Sequence, residues 1–349
     1  MPHKEQFWNT VKIVKILLSV MVVFIHANNV PMYGMNSGIV FWIENYIGNG
    51  ICKMAVPFFF LLSGICTYQS FDKNLSLKDS WESIKKKLYT RIHSLVIPYI
   101  IWIVITWGGT ILPRLLPGIS SHIGDAGNFT FDLKSFLLVL LTGKDTHLWF
   151  LNNLIILSFL MPVIYEIMRH KKLSFLIWAV LLAANIMYSR ADTDLLRVCL
   201  DYLTGVLLAM HGKQYIEKSF ETHQTAIKHL LFGLLFLILS ATETLIVVRS
   251  ISVYVEVFVL FGMMYCFWNL CINRIWKGKD YSFWIYLSHG LFLVYIKIIA
   301  FKALPKTELF ALVSFFMVPI LVMFILICVA KLLDSRMPKF YAVLTGERS

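Results

Sequence analysis

The chain has 349 residues, 58% of them hydrophobic and 15% charged, with a formal net charge of +12 and a mean hydropathy of +0.71. A soluble domain carries about a quarter charged residues, so this balance excludes a water-soluble enzyme and points to a polytopic membrane protein. With no basic-aromatic module outside the apolar runs, the positive charge is not that of a nucleic-acid binder.

The first apolar run, Phe7 to Asn29, carries Asn9, Lys12, Lys15, Ser19, His26 and Asn29. It is too long, and too polar inside, for a signal-peptide core, so it is expected to be retained as a span. On a helix, positions 12, 15, 19 and 26 return to one face. Such a stripe must look into protein or a water-filled cavity, because lipid cannot satisfy it. Lys15 and His26 have ten residues between them, about 16 Å along a helix axis. An intramembrane imidazole titrates near neutrality and can take a proton from an alcohol, so His26 is the leading functional residue.

The next run contains Val56–Gly64, VPFFFLLSG, in which Ser63 and Gly64 allow close approach of a neighbouring helix. The segment 85–99, KKKLYTRIHSLVIPY, sets Lys87 and Arg91 four residues apart, a spacing equally suited to holding phosphates and to setting topology. Residues 133–142 are apolar but too short to cross, and are read as a re-entrant or interfacial helix. His147, Trp149, Asn152 and Asn153 open the following span and form, with His26, a candidate pocket at the outer level. Tyr286, Ser288 and His289 lie deeper in the ninth span; Glu243, Arg249 and Glu256 surround an outer turn, where mutual ion pairing accounts for them.

Windows of about 20 apolar residues place spans near 8–28, 51–70, 93–112, 148–168, 173–188, 196–211, 229–248, 251–271, 282–301 and 309–332. The expected architecture is all-α: a bundle of about ten transmembrane helices forming one domain over 1–349. With ten spans both termini share a side. That side holds 22 of the 32 lysines and arginines, so both termini are predicted to be cytoplasmic. Anionic lipid or an anionic cytosolic ligand would meet this charge. Cys52, Cys66, Cys199, Cys266, Cys271 and Cys328 lack metal-site spacing and are read as reduced packing residues. No Walker loop, GxSxG or HExxH occurs, so ATP hydrolysis, a serine nucleophile elbow and zinc chemistry have no support.

At these residues the chain resembles the type 3 acyltransferases, bacterial membrane proteins that acylate hydroxyls of surface polysaccharides. The resemblance rests on four pieces in order: Lys15 with His26, VPFFFLLSG at 56–64, HLWFL at 147–151 and YSFWIYLSHG at 281–290. It departs from the family pattern in having Lys15 for the usual arginine, Leu154 for a common glutamate and Ile65 for a common phenylalanine. No hydrolase-like domain is expected after the tenth span.

The resemblance implies cytosolic acyl-CoA, most simply acetyl-CoA, as co-substrate and no metal. It implies a surface-glycan acceptor, with the lipid bilayer, a second copy of the chain or other glycan-synthesis proteins as partners. The location implied is the bacterial cytoplasmic (inner) membrane. Lys15, Lys87 and Arg91 would meet the donor phosphates. His26, with His147, Asn152 and Asn153, would carry the chemistry, and Trp149, Tyr286 and His289 would contact substrate. A transporter of a glycan or lipid-linked precursor, and a non-catalytic subunit of a synthesis complex, are the alternatives.

Overall fold

The structure, a computed structural model, describes residues 2–111, 132–144, 146–188, 195–212, 231, 234–235, 238 and 279–346. All of its described secondary structure is helical. The α-helices are α1 (Pro2–Ala27), α2 (Ile39–Asn45), α3 (Ala55–Tyr68), α4 (Leu77–Arg91), α5 (Ile97–Ile111), α6 (Leu133–Thr142), α7 (Trp149–Phe159), α8 (Met161–Met168), α9 (Lys171–Tyr188), α10 (Leu195–His211), α11 (Ser282–Ala303), α12 (Glu308–Arg336) and α13 (Pro338–Thr345). Among the described residues five helices are long and apolar enough to cross a membrane: Ile39–Tyr68, Leu77–Gly109, Lys171–Tyr188, Ser282–Ala303 and Glu308–Arg336. The chain is an all-α polytopic membrane protein.

Several boundaries differ from the expected ones. The second and third spans start earlier, because one π-turn and one 3-10 turn join α2 to α3, and a π-turn over Ile92–Val96 joins α4 to α5. Lys87 and Arg91 therefore lie within one long helical segment. The expected single span near 148–168 is two helices bent by 64°, with Pro162 in the first turn of the second, where its missing N–H costs nothing. Residues 133–142 form the short apolar helix that was expected. The expected spans at 229–248 and 251–271, with Glu243, Arg249, Glu256, Cys266 and Cys271, lie outside the described residues except for helical positions 231, 234, 235 and 238.

The helices group into two compact units, the first comprising 1–18, 49–88 and 157–279 and the second 19–48, 89–156 and 280–349. In the first, α3 packs on α10 through Gly64 and Gly205. A Cβ on Gly64 would overlap Tyr202 O and one on Gly205 would overlap Leu61 O, so the two backbones approach as only glycines allow. Tyr165 pins the connection before α4: its buried hydroxyl lies 2.7 Å from Asp72 O and 3.0 Å from Leu75 O and accepts from Ser80 Oγ at 2.7 Å. Trp178 Nε1 donates to Thr204 Oγ1 at 2.9 Å, joining α9 to α10.

In the second unit, α11 packs on α12 and α5. Trp284 Nε1 donates to Leu326 O (3.0 Å) and Trp102 Nε1 to Leu344 O (3.1 Å), with the two indoles edge to face at 5.5 Å. Both indoles are nearly buried, so these bonds satisfy donors that lipid could not. The terminal helix α13, absent from the expected set, anchors here through buried Tyr341 and Leu344.

Candidate active site

Three imidazoles meet inside the second unit. His26 sits in the last turn of α1, His147 in the turn between α6 and α7, and His289 in the middle of α11. The His26 and His289 ring centroids are 5.4 Å apart, and those of His147 and His289 4.6 Å. His289 is fully buried, His147 half-buried and His26 exposed. The cluster is thus graded, with His26 at its open edge. Among the described residues no group of three or more His, Cys, Asp or Glu is arranged to hold a metal ion.

The turn that presents His147 follows from its sequence. Gly143 ends α6 in the left-handed conformation (φ 63°), and its N–H closes on Val139 O at 2.8 Å. Thr146 Oγ1 donates to Gly143 O (2.7 Å) and accepts from Leu148 N (3.1 Å), which stiffens the next step. His147 is then tied to α11 at both ends. Its Nε2 lies 2.9 Å from Leu287 O, and its own carbonyl accepts from the Tyr286 hydroxyl at 2.8 Å. A carbonyl partner requires a proton on Nε2, so Nδ1 keeps the lone pair. Nδ1 lies over Gly290, where a Cβ would fall 2.6 Å from Cε1 of the same ring.

His289 is held by its own helix. Nδ1 faces Tyr286 O (2.7 Å) and Ile285 O (3.1 Å) and therefore carries the proton. Nε2 is buried and has no hydrogen-bond partner. Leaving a buried acceptor unmatched costs about 1–3 kcal/mol, so this nitrogen is costly to the fold as it stands.

The end of α1 is fixed by charged residues of two other helices. Lys297 Nζ of α11 donates to Asn28 O (2.6 Å) and His26 O (3.2 Å), carbonyls that the helix terminus leaves open. The fully buried Glu44 of α2 accepts from Asn29 N (2.7 Å) and Val30 N (3.2 Å) through Oε2. The Asn29 amide, oriented to match both ends, donates to Ala27 O (3.1 Å) and accepts from Phe315 N (3.0 Å). Ser19, one stripe residue, is fully buried, with its hydroxyl donating to Ser282 O at 3.1 Å.

The structure therefore brings together His26, His147, Tyr286 and His289. Phe150 joins them, its ring 5.4 Å from that of Tyr286. Trp149 and Asn153 are half-buried in the first turns of α7, and the Asn152 amide donates to Leu141 O (3.2 Å), which commits it to α6. Leu154 is buried.

Of the proposed donor contacts, Lys15 and Lys87 belong to the first unit and Arg91 to the second. Lys15 is half-buried and Lys12 exposed. Lys87 Nζ donates to Thr67 O and lies 4.4 Å from the centre of the Phe71 ring, so it already serves α3. Lys297 and Glu44 escaped the sequence reading. The available signal was a lysine well inside an apolar span and a lone acid in the run IVFWIEN, each costly in a membrane without a partner.

Comparison with known proteins supplies the context. Residues 8–332 match a family described as an acyltransferase domain. A stretch of 95 residues, 26% of the chain, is 27% identical to the succinoglycan biosynthesis protein ExoH of Rhizobium meliloti (strain 1021). The match spans about a quarter, 24%, of that relative's length. No solved structure matches the chain.

Proposed function

Because the chain belongs to the type 3 acyltransferase family, we propose that it is an O-acyltransferase moving an acyl group, most simply acetyl, from cytosolic acyl-CoA to a hydroxyl of a surface polysaccharide. The observation that carries this reading is the graded imidazole cluster, with His26 exposed beside two more deeply set histidines. In the reading, the C–S bond of the thioester breaks and a C–O bond forms to the glycan. His26 either takes the hydroxyl proton as the oxygen attacks, or first accepts the acyl group on its ring nitrogen and passes it on. The departing CoA sulfur takes up the proton. His147, with a lone pair on Nδ1, and His289 line the inner side of the cluster.

The partial similarity to a succinoglycan biosynthesis protein supports a glycan as acceptor. Lys15 shares the continuous helix α1 with His26 and is proposed to meet the donor phosphates. Ten spans, both termini in the cytosol and a place in the bacterial inner membrane complete the proposal.

Purified protein incubated with labelled acetyl-CoA is expected to release free CoA and to label polysaccharide. Binding without loss of the thioester would instead indicate transport. In the same assay Lys15→Ala should raise the apparent KM for acetyl-CoA by about tenfold, the worth of one charge-assisted contact; an unchanged KM removes Lys15 from the donor site.

Gly290→Ala tests the His147 placement. The added methyl occupies the space of the His147 ring, which must leave Leu287 O. The variant should insert normally and lose about 10–100-fold in kcat, a loss in keeping with a displaced catalytic group. Wild-type turnover would show that the position of this ring is immaterial.

A further inference from the structure

We infer that Lys297 and Glu44 are positioning residues for His26, together fixing the end of α1 at the setting that acyl transfer requires; this rests on the reading that His26 carries the chemistry. A helix terminus exposes carbonyls that ordinary capping or water would satisfy. Here the carbonyls of His26 and Asn28 are both taken by one ammonium group, at 3.2 and 2.6 Å. The N–H groups of the two residues that follow are taken by one buried carboxylate, at 2.7 and 3.2 Å. A cation from α11 and an anion from α2 thus hold opposite polarities of the same turn.

The placement of the cation is unusual for stability alone. An apolar span could end α1 with a glycine or an amide, without desolvating a lysine and a glutamate. Lys297 also comes from the helix that carries His289, eight residues along. One rigid element therefore sets both the backbone of His26 and the ring it faces, and so defines the distance between the two imidazoles. Loss of Lys297 would free the His26 carbonyl and let the imidazole drift from its place at the open edge of the cluster.

The test uses full-length protein in detergent with acetyl-CoA as probe, reading release of CoA thiol. Lys297→Met should lower kcat about 10–100-fold, with KM for acetyl-CoA changed by less than about twofold. Lys297→Arg, which keeps the charge and the donors, should stay within about fivefold of wild type in kcat.

Lys297→Met withdraws the positive charge that acts on the buried Glu44 carboxylate, and so also lowers the melting temperature. The double variant Glu44→Gln/Lys297→Met leaves neither charge, and should recover the melting temperature without recovering kcat. A double variant that regains both would show that the two residues only stabilise the fold, and would overturn the inference. So would unchanged kcat in Lys297→Met. If that variant does not fold, the double variant and Lys297→Arg decide between the two roles. Activity retained in His26→Ala would overturn the parent reading instead, so the two failures are told apart.

Discussion

Replacing His26 with alanine should abolish acyl transfer while leaving the chain inserted and folded. The imidazole is exposed, so its loss opens no cavity in packed surroundings. Its backbone carbonyl, which Lys297 uses, survives the substitution. The neighbouring His147 and His289 are tied to backbone carbonyls through Nε2 and Nδ1 respectively, and neither can move to the vacated position without breaking those bonds. General base catalysis contributes about 10²–10⁴-fold, and a lost acyl acceptor removes the covalent route altogether. The loss in kcat should therefore be at least about 100-fold, measured as CoA release per folded protein. Substantial activity in this variant would end the assignment of His26.

A second large effect is expected far from the imidazoles. Gly205→Val should destabilise the first unit severely, because the Cβ of any side chain there collides with the carbonyl of Leu61 and sits 3.1 Å from Ile65 N. These are backbone atoms of a helix, which cannot turn aside as a side chain can. The cost should reach or exceed the upper end of the ~1–3 kcal/mol typical of overpacking. It should be visible as a loss of monodisperse protein on extraction and a lower melting temperature. Gly108→Ala is the internal control: a Cβ there meets nothing within 4 Å. That change should be neutral or gain about 0.5–1 kcal/mol, the usual benefit of replacing a helical glycine. Equal behaviour of the two variants would show that the α3–α10 approach is not as close as described.

What the sequence disclosed follows from which physical signals are local. Apolar windows locate most helices because lipid solvation acts residue by residue, and Ser63-Gly64 announced a close helix approach because small residues have few other reasons to punctuate a phenylalanine run. Its counterpart, Gly205, carried no such signal, since it lies in an ordinary amphipathic stretch. His26 and His147 were expected at one outer level, but that His289, read as lying deeper, faces both depends on long-range packing that no spacing encodes.

The pairing of Lys15 with His26 on one face described α1 as a helix. Ser19, on that same stripe, is buried in protein as such a stripe requires, but its partner, Ser282 O, could not be read from the spacing. Lys87 shows another limit: its spacing from Arg91 suited phosphate binding and topology equally, and gave no sign that its ammonium donates to Thr67 O and lies over the face of Phe71.

Each of the three imidazoles has a tie to α11. It supplies the carbonyl that His147 leans on, the phenol that holds the His147 backbone, the ring of His289, and the ammonium at the end of α1. Tilting that one helix would therefore act on all three rings at once. If the chain acylates a glycan as proposed, accommodating a bulkier sugar or a longer acyl chain would then fall to residues outside α11, leaving the helix that ties the imidazoles untouched.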